Sequence, residues 1–315
     1  MKEEYDFIII GAGVAGLAAA MYGARLGMKT LCLGAASGSE APIGGTITTT
    51  FLIENYPGFA KTSGRVLAEN IKNHALSYPL VTLKEERVEN VEKTDEGFAV
   101  KTDEGEYFGK TILFASGTKR RKLEVPGSKE FEHKGVTYCA LCDATLYKNK
   151  TAAVIGGSNC AVADALILAQ HAKRVYIIYR KEKLRADSAN VKKIEEKQNI
   201  EVIINTEVVE VKGDKAVRAV ILNKEYKGSK ELKLDGVFVE IGNVPLSELA
   251  EKIGVAVNEG KEIIINHRTS ETNIAGVFAA GDVVDKPFKQ AITGVAEGCT
   301  AAWSAFEFLN RKVIE

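Results

Sequence analysis

The chain lacks an excess of charge of either sign, with 42 Lys+Arg and 42 Asp+Glu among 315 residues. Nucleic acids and anionic membranes recruit basic surfaces, so neither is expected as a partner. It also lacks any long apolar run beyond Phe7–Ala24. That run follows Lys2, Glu3, Glu4 and Asp6, not a purely basic segment, and Gly11, Gly13, Gly16 and Gly23 interrupt it. A glycine-rich strand–turn–helix accounts for it better than a signal peptide or a membrane span. A soluble, cytoplasmic protein is expected. Cysteine is sparse, and five in a chain of this length do not make a disulfide scaffold. Cys32, Cys160 and Cys299 stand alone, and Cys32 within Thr30–Leu33 reads as a small buried hydrophobe. The four histidines (His74, His133, His171 and His267) sit in polar or helical stretches without a supporting motif.

What the chain does have is one unit written twice. Tyr5–Ile10, the turn Gly11–Gly16, a helical run to about Leu26 and Thr30–Leu33 form the first copy. Ala152–Ile155, the turn Gly156–Ala161, a helical run to about His171 and Val175–Tyr179 form the second. Strand, glycine turn, alanine-rich helix and strand make the βαβ dinucleotide-binding unit, whose natural host is a parallel sheet. After the first copy, Val88–Thr102 and Glu106–Phe114 alternate like a meander; after the second, Glu201–Val211, Ala216–Leu222 and Glu231–Ile241 do so. Gly117–Arg121 and Gly242–Pro245 read as connectors. The expected fold is α/β: two Rossmann-like dinucleotide-binding domains of three-layer ββα type, one inserted in the other. Residues 118–244 form the insert, and 1–117 with 245–315 form a discontinuous host.

Gly11, Gly13 and Gly16 complete G-x-G-x-x-G between a strand and a helix, where the helix start faces a pyrophosphate. The acid that usually ends the second strand is missing: the chain reads Leu33-Gly34-Ala35, and the nearest acid is Glu40. The second turn has Ser158 at the middle-glycine position and Ala161 at the last. It is followed by Tyr179-Arg180-Lys181 and Arg185, a basic cluster suited to the 2′-phosphate of NADPH; a solvated basic loop is the competing reading.

Cys139-Ala140-Leu141-Cys142-Asp143 is the chemical centre. Two intervening residues on a turn or helix start put two sulfurs within disulfide reach, and Asp143 is placed to move a proton to or from a thiol. Structural zinc needs four ligands, and no second pair or Cys/His cluster stands nearby. No metal site is expected.

The ordered set of motifs resembles the low-molecular-weight thioredoxin reductases over nearly the whole chain. It comprises Gly11–Gly16, Gly44–Thr50, Glu54–Gly58, Ala115–Thr118, Cys139–Asp143, Gly156–Ala161, Tyr179–Lys181 with Arg185, Gly276–Val283 and Lys289–Ala291. The resemblance implies FAD held by Gly11, Gly13, Ala15, Gly16, Gly45, Thr46, Asn55, Ala115, Gly117, Gly281, Asp282, Lys289, Gln290 and Ala291. It implies NADPH held by Gly156, Gly157, Ser158, Asn159, Arg180, Lys181 and Arg185. Cys142 would face the flavin, and Cys139 would attack the disulfide of thioredoxin or a similar small protein. It implies a homodimer too, and two alternating domain orientations, for which the thin connectors would serve as a hinge. Ser158, Tyr179, Lys181, Thr46 and Ala144 depart from the family's usual glycine, histidine, arginine, glutamine and glycine. The first three bear on the electron donor, which in some relatives is ferredoxin or a deazaflavin. A thiol oxidase and a non-enzymatic flavin redox sensor are the remaining alternatives.

Overall fold

A computed structural model describes residues 3–35, 42–50 and 53–311, except for the side chains of Leu141 and Cys142. The chain packs as two compact units, Met1–Lys119 with Val244–Glu315, and Arg120–Asn243. In chain order the first unit opens with β1 (Glu3–Ile10), α1 (Val14–Arg25), β2 (Thr30–Gly34), α2 (Gly64–Leu76), β3 (Val81–Glu85), β4 (Val88–Lys93), β5 (Phe98–Thr102) and β6 (Glu106–Phe114). The chain leaves through β7 (Thr118–Arg120). Next come β8 (Val136–Thr137), α3 (Ala140–Asp143), β9 (Thr151–Ile155), α4 (Asn159–Leu168), β10 (Arg174–Ile178), α5 (Ser188–Glu195) and β11 (Ile200–Ile203). β12 (Val208–Gly213), β13 (Val217–Tyr226), β14 (Ser229–Lys233) and β15 (Gly236–Val239) follow. The chain returns through β16 (Asn243–Pro245) to α6 (Glu248–Lys252), β17 (Val277–Ala279) and α7 (Ala291–Arg311).

In the first unit β3, β2, β1 and β6 run parallel, in that order. β6 is long enough to carry two neighbours on one edge. Its first half pairs antiparallel with β5 and its second half parallel with β17. The period-2 alternation of β1 divides the core: Ile8 and Ile10 join Phe98, Val100 and Phe114 on one face. Phe7 and Ile9 join Leu17, Ala301 and Ala305, from α1 and α7, on the other. The layers are therefore meander, parallel sheet and helices.

The second unit repeats this plan with the parallel sheet β11-β10-β9-β15-β8 and the meander β12-β13-β14. Two stretches expected wholly in the meander divide instead. Of 201–211, the first part is β11, parallel to β10, and Asn205 at φ 52° turns the chain before β12. Of 231–241, the last part is β15, parallel to both β9 and β8. Gly236–Val239 is buried throughout, as a central parallel strand covered on both faces must be. Asp235 accepts the Thr151 N–H just before it and fixes the entry of β9. Helix α4 stops at Leu168, short of His171, and the Asn199 amide takes the Ala169 and Ala172 carbonyls beyond its end.

Helices α1 and α7 meet through small residues. A Cβ on Gly298 would stand 2.1 Å from the Ala15 carbonyl oxygen. The ~1 kcal/mol by which Ala exceeds Gly in a helix does not offset a backbone overlap of that size. Gly298→Ala should lower unfolding stability by at least about 1 kcal/mol, read as a lower urea midpoint at unchanged slope. A midpoint equal to wild type would refute this packing account.

Candidate active site

In the first unit the glycine turn lies at the C-terminal ends of β1, β6 and β17, where open parallel sheets bind ligands. Two of its glycines are demanded by the fold. At Gly11, with φ 111°, a Cβ would lie 2.3 Å from the Ala115 oxygen, and at Gly16 one would lie 1.9 Å from the Gly11 oxygen. Gly13 is different. Its φ of −74° suits any residue, and among the described residues a Cβ there would meet only Gly45 Cα, at 3.8 Å. Nothing among the described residues requires a glycine at 13, so the space beside it suits something brought from outside. Gly13 caps α1 without any side-chain bond, and no acid occupies the first turn, so the N–H groups there remain available to an anion.

Of the other residues singled out in this unit, Ala115, Gly45 and Gly281 stand against that turn. Gly44 N–H donates to the Ala12 carbonyl at 2.8 Å, drawing Gly45 and the 3-10 turn Thr46–Thr49 against it. Gly117, at φ 67°, accepts from Leu246 N–H. A Cβ on Gly281 would lie 3.1 Å from that of Ala15. Glu297 accepts both the Gly281 N–H and the buried Lys286 ammonium at 2.8 Å, a clamp no motif announced. Lys289 donates to the Asp282 carbonyl and to Glu262. Burial opposes the Glu262 charge, but the Lys289 and Asn258 bonds prevail and hold its carboxyl below the usual range. Gln290 accepts from the Asn55 amide at 2.9 Å, just before Ala291 opens α7. Glu40 lies outside the described residues.

In the second unit the equivalent sites follow the C-terminal ends of β8, β9 and β10. Cys139 is disulfide-bonded, while Cys32 and Cys299 are free thiols; the Cys142 side chain lies outside the described residues. Burial pushes the Cys32 thiol up to about 12 and the Cys299 thiol up to about 11, so neither is a nucleophile near neutral pH. Asp143 accepts from the buried Thr137 hydroxyl at 2.5 Å, which fixes the acid beside the cysteine segment.

Gly156 is again demanded by the fold, since a Cβ would lie 2.2 Å from the Glu240 oxygen. A Cβ on Gly157 would lie 2.6 Å from the Tyr179 ring, whose buried hydroxyl has no partner among the described residues. Asn159 is tied to Asp187 by two bonds, and Arg185 N–H donates to the Gly157 carbonyl at 2.6 Å, so the basic loop closes against the turn. Arg180, Lys181 and Arg185 are exposed and form no ion pair among the described residues.

Two glycine-turn units, one bearing a disulfide with an anchored acid, define a dinucleotide-dependent dithiol oxidoreductase. The family model for pyridine nucleotide-disulphide oxidoreductases matches residues 5–298. The chain is 36% identical over 312 residues to the thioredoxin reductase of Treponema pallidum (strain Nichols), covering 98% of this chain and 99% of that one. It matches the crystal structure of Lactococcus lactis thioredoxin reductase (FR conformation) with a TM-score of 0.90 at 35% identity, covering 98% and 99%. It matches a ferredoxin-flavin thioredoxin reductase from Clostridium acetobutylicum with a TM-score of 0.53 at 33% identity, covering 99% and 100%. The chain belongs to the pyridine nucleotide-disulphide oxidoreductase family, in its low-molecular-weight thioredoxin reductase branch. It is an oxidoreductase that works with a flavin and a pyridine nucleotide. No helix among the described residues is long and apolar enough to cross a membrane.

Because nothing among the described residues requires a glycine at 13, Gly13→Val should fold with an unchanged circular dichroism spectrum yet retain flavin about tenfold more weakly. Flavin retention equal to wild type would remove Gly13 from the site.

Proposed function

We propose that the chain is an FAD-dependent disulfide reductase that draws on NADPH and reduces thioredoxin or a similar small redox protein through Cys139 and Cys142. The observation that carries this reading is the disulfide-bonded Cys139 at the start of α3, with Asp143 held in place by Thr137. The domain carrying it spans 118–244. The domain formed by 1–117 and 245–315 holds FAD through Gly11, Gly13, Ala15, Gly16, Gly45, Thr46, Asn55, Ala115, Gly117 and the 281–291 segment. When bound, the flavin supplies two-electron transfer between a nicotinamide and a disulfide, which no side chain of the chain offers. Cys139, as thiolate, attacks the partner's disulfide; Cys142 resolves the mixed disulfide; Asp143 carries the proton. The protein works as a cytoplasmic homodimer.

Gly156, Gly157, Ser158, Asn159, Arg180, Lys181 and Arg185 hold NADPH. The exposure of these basic residues, unpaired among the described residues, supports this, because their charge can meet a 2′-phosphate. Ser158 favours a second reading. It occupies the position where Gly13 leaves the first turn open, and so places a side chain where a pyrophosphate approaches. On that reading the electrons come from ferredoxin or a deazaflavin.

Cys142→Ser should abolish disulfide reductase activity and leave flavin bound; turnover at the wild-type rate would remove the dithiol from the mechanism. For the donor, anaerobic NADPH should bleach the flavin band rapidly and NADH slowly. Bleaching by dithionite but by neither nucleotide would establish the second reading.

A further inference from the structure

A buried ion pair in the first unit has no part in the chemistry above. Lys286, whose side chain is 6% exposed, donates to the Glu297 carboxylate at 2.8 Å and to the Thr293 hydroxyl at 3.3 Å. The same carboxylate oxygen accepts the Gly281 N–H at 2.8 Å. Glu297 lies in the second turn of α7, and Gly281 and Lys286 bound the loop that carries Asp282. One oxygen therefore holds both ends of that loop against α7.

The bonds continue to the start of the helix. The Thr293 hydroxyl also accepts the Gln290 N–H at 3.2 Å, and Gln290 accepts from the Asn55 amide. Small residues keep the packing close: a Cβ on Gly294 would stand 3.5 Å from Gly281 Cα, and one on Gly281 would stand 3.1 Å from that of Ala15. The ion pair is thus joined by direct contacts to the loop of Asp282, to Gln290 and to the first turn of α1.

Anchoring alone does not account for charges at these two positions, because apolar side chains of similar volume commonly hold a loop as well without the cost of desolvation. The neighbouring pairs are wetter. Lys289 and Glu262 are 26% and 27% exposed, and His267, 3.5 Å from Asp285, is 53% exposed. Water and salt screen exposed charges far more than buried ones, so the Lys286 ammonium is the least screened of these charges.

We propose that Lys286 and Glu297 are positioning residues for the flavin: they fix the Asp282 loop, and the balance of their two charges sets how readily the flavin accepts electrons. This rests on the reading that the 281–291 segment borders the flavin. Uptake of two electrons and one proton by the neutral oxidised flavin leaves one negative charge, which a nearby cation stabilises and a nearby anion opposes. Glu297→Gln puts an amide oxygen in place of the carboxylate oxygen, so it keeps both hydrogen bonds and leaves the Lys286 charge unbalanced. Lys286→Met does the reverse, removing the cation and leaving the carboxylate. Both substitutions break the same pair. A merely structural role would shift the flavin in one direction for both, whereas the electrostatic role shifts it in opposite directions.

The test is the two-electron reduction potential of the bound flavin, measured by anaerobic equilibration of the FAD-loaded protein with a reference dye. Glu297→Gln should raise it and Lys286→Met should lower it, each by a roughly tenfold change in the reduced-to-oxidised ratio, about 30 mV for a two-electron couple. If Lys286→Met does not fold, Lys286→Gln takes its place. As a reference, Asp282→Ala should retain flavin about tenfold more weakly than wild type. Wild-type retention in Asp282→Ala overturns the reading of the 281–291 segment and the proposal with it. Weakened retention there, with the potentials of both pair variants unchanged or moved the same way, overturns the proposal alone.

Discussion

The structure depends on one close approach made twice. Gly11 lets β1 turn into α1 with its backbone against Ala115, and Gly156 lets β9 turn into α4 with its backbone against Glu240. In each case a side chain would overlap a carbonyl of the neighbouring parallel strand's exit. The turn can then sit low over the strand ends, so that a helix start and several loop residues surround one spot. Small residues continue the same logic outward: Gly16 under α1 and Gly298 under α7 bring helix backbones closer than side chains would permit.

The two turns share this frame and differ in what they leave open. Beside Gly13 the described residues leave space, whereas the second turn carries the side chain of Ser158 and is covered by the Tyr179 ring and the Arg185 strap. Glu240 has two functions in the second unit. Its carbonyl bounds the Gly156 turn, and its carboxylate stands 3.5 Å from the Arg120 guanidinium.

Much of the fold was legible because its strongest periodic segments are local. The apolar β1, its glycine turn and the alternating β6 declared themselves from adjacent residues. The second half of the inserted unit was less legible: β11 and β15 read as meander strands, and only pairing with distant β10, β9 and β8 makes them parallel. Motif spacing brought forward Gly11, and the family resemblance brought forward Gly45 and Gly281, which stand against the same turn. It was silent on the Lys286–Glu297 clamp and the Tyr179 cover, because each joins residues whose meeting depends on tertiary packing.

The central claim is that a flavin and the Cys139 disulfide act as one redox system, and anaerobic titration of the purified flavoprotein with dithionite tests it most directly. Each of the two centres takes an electron pair. The account predicts consumption of about twice the reductant that the flavin alone requires before free dithionite accumulates. Consumption equal to the flavin content alone would contradict it.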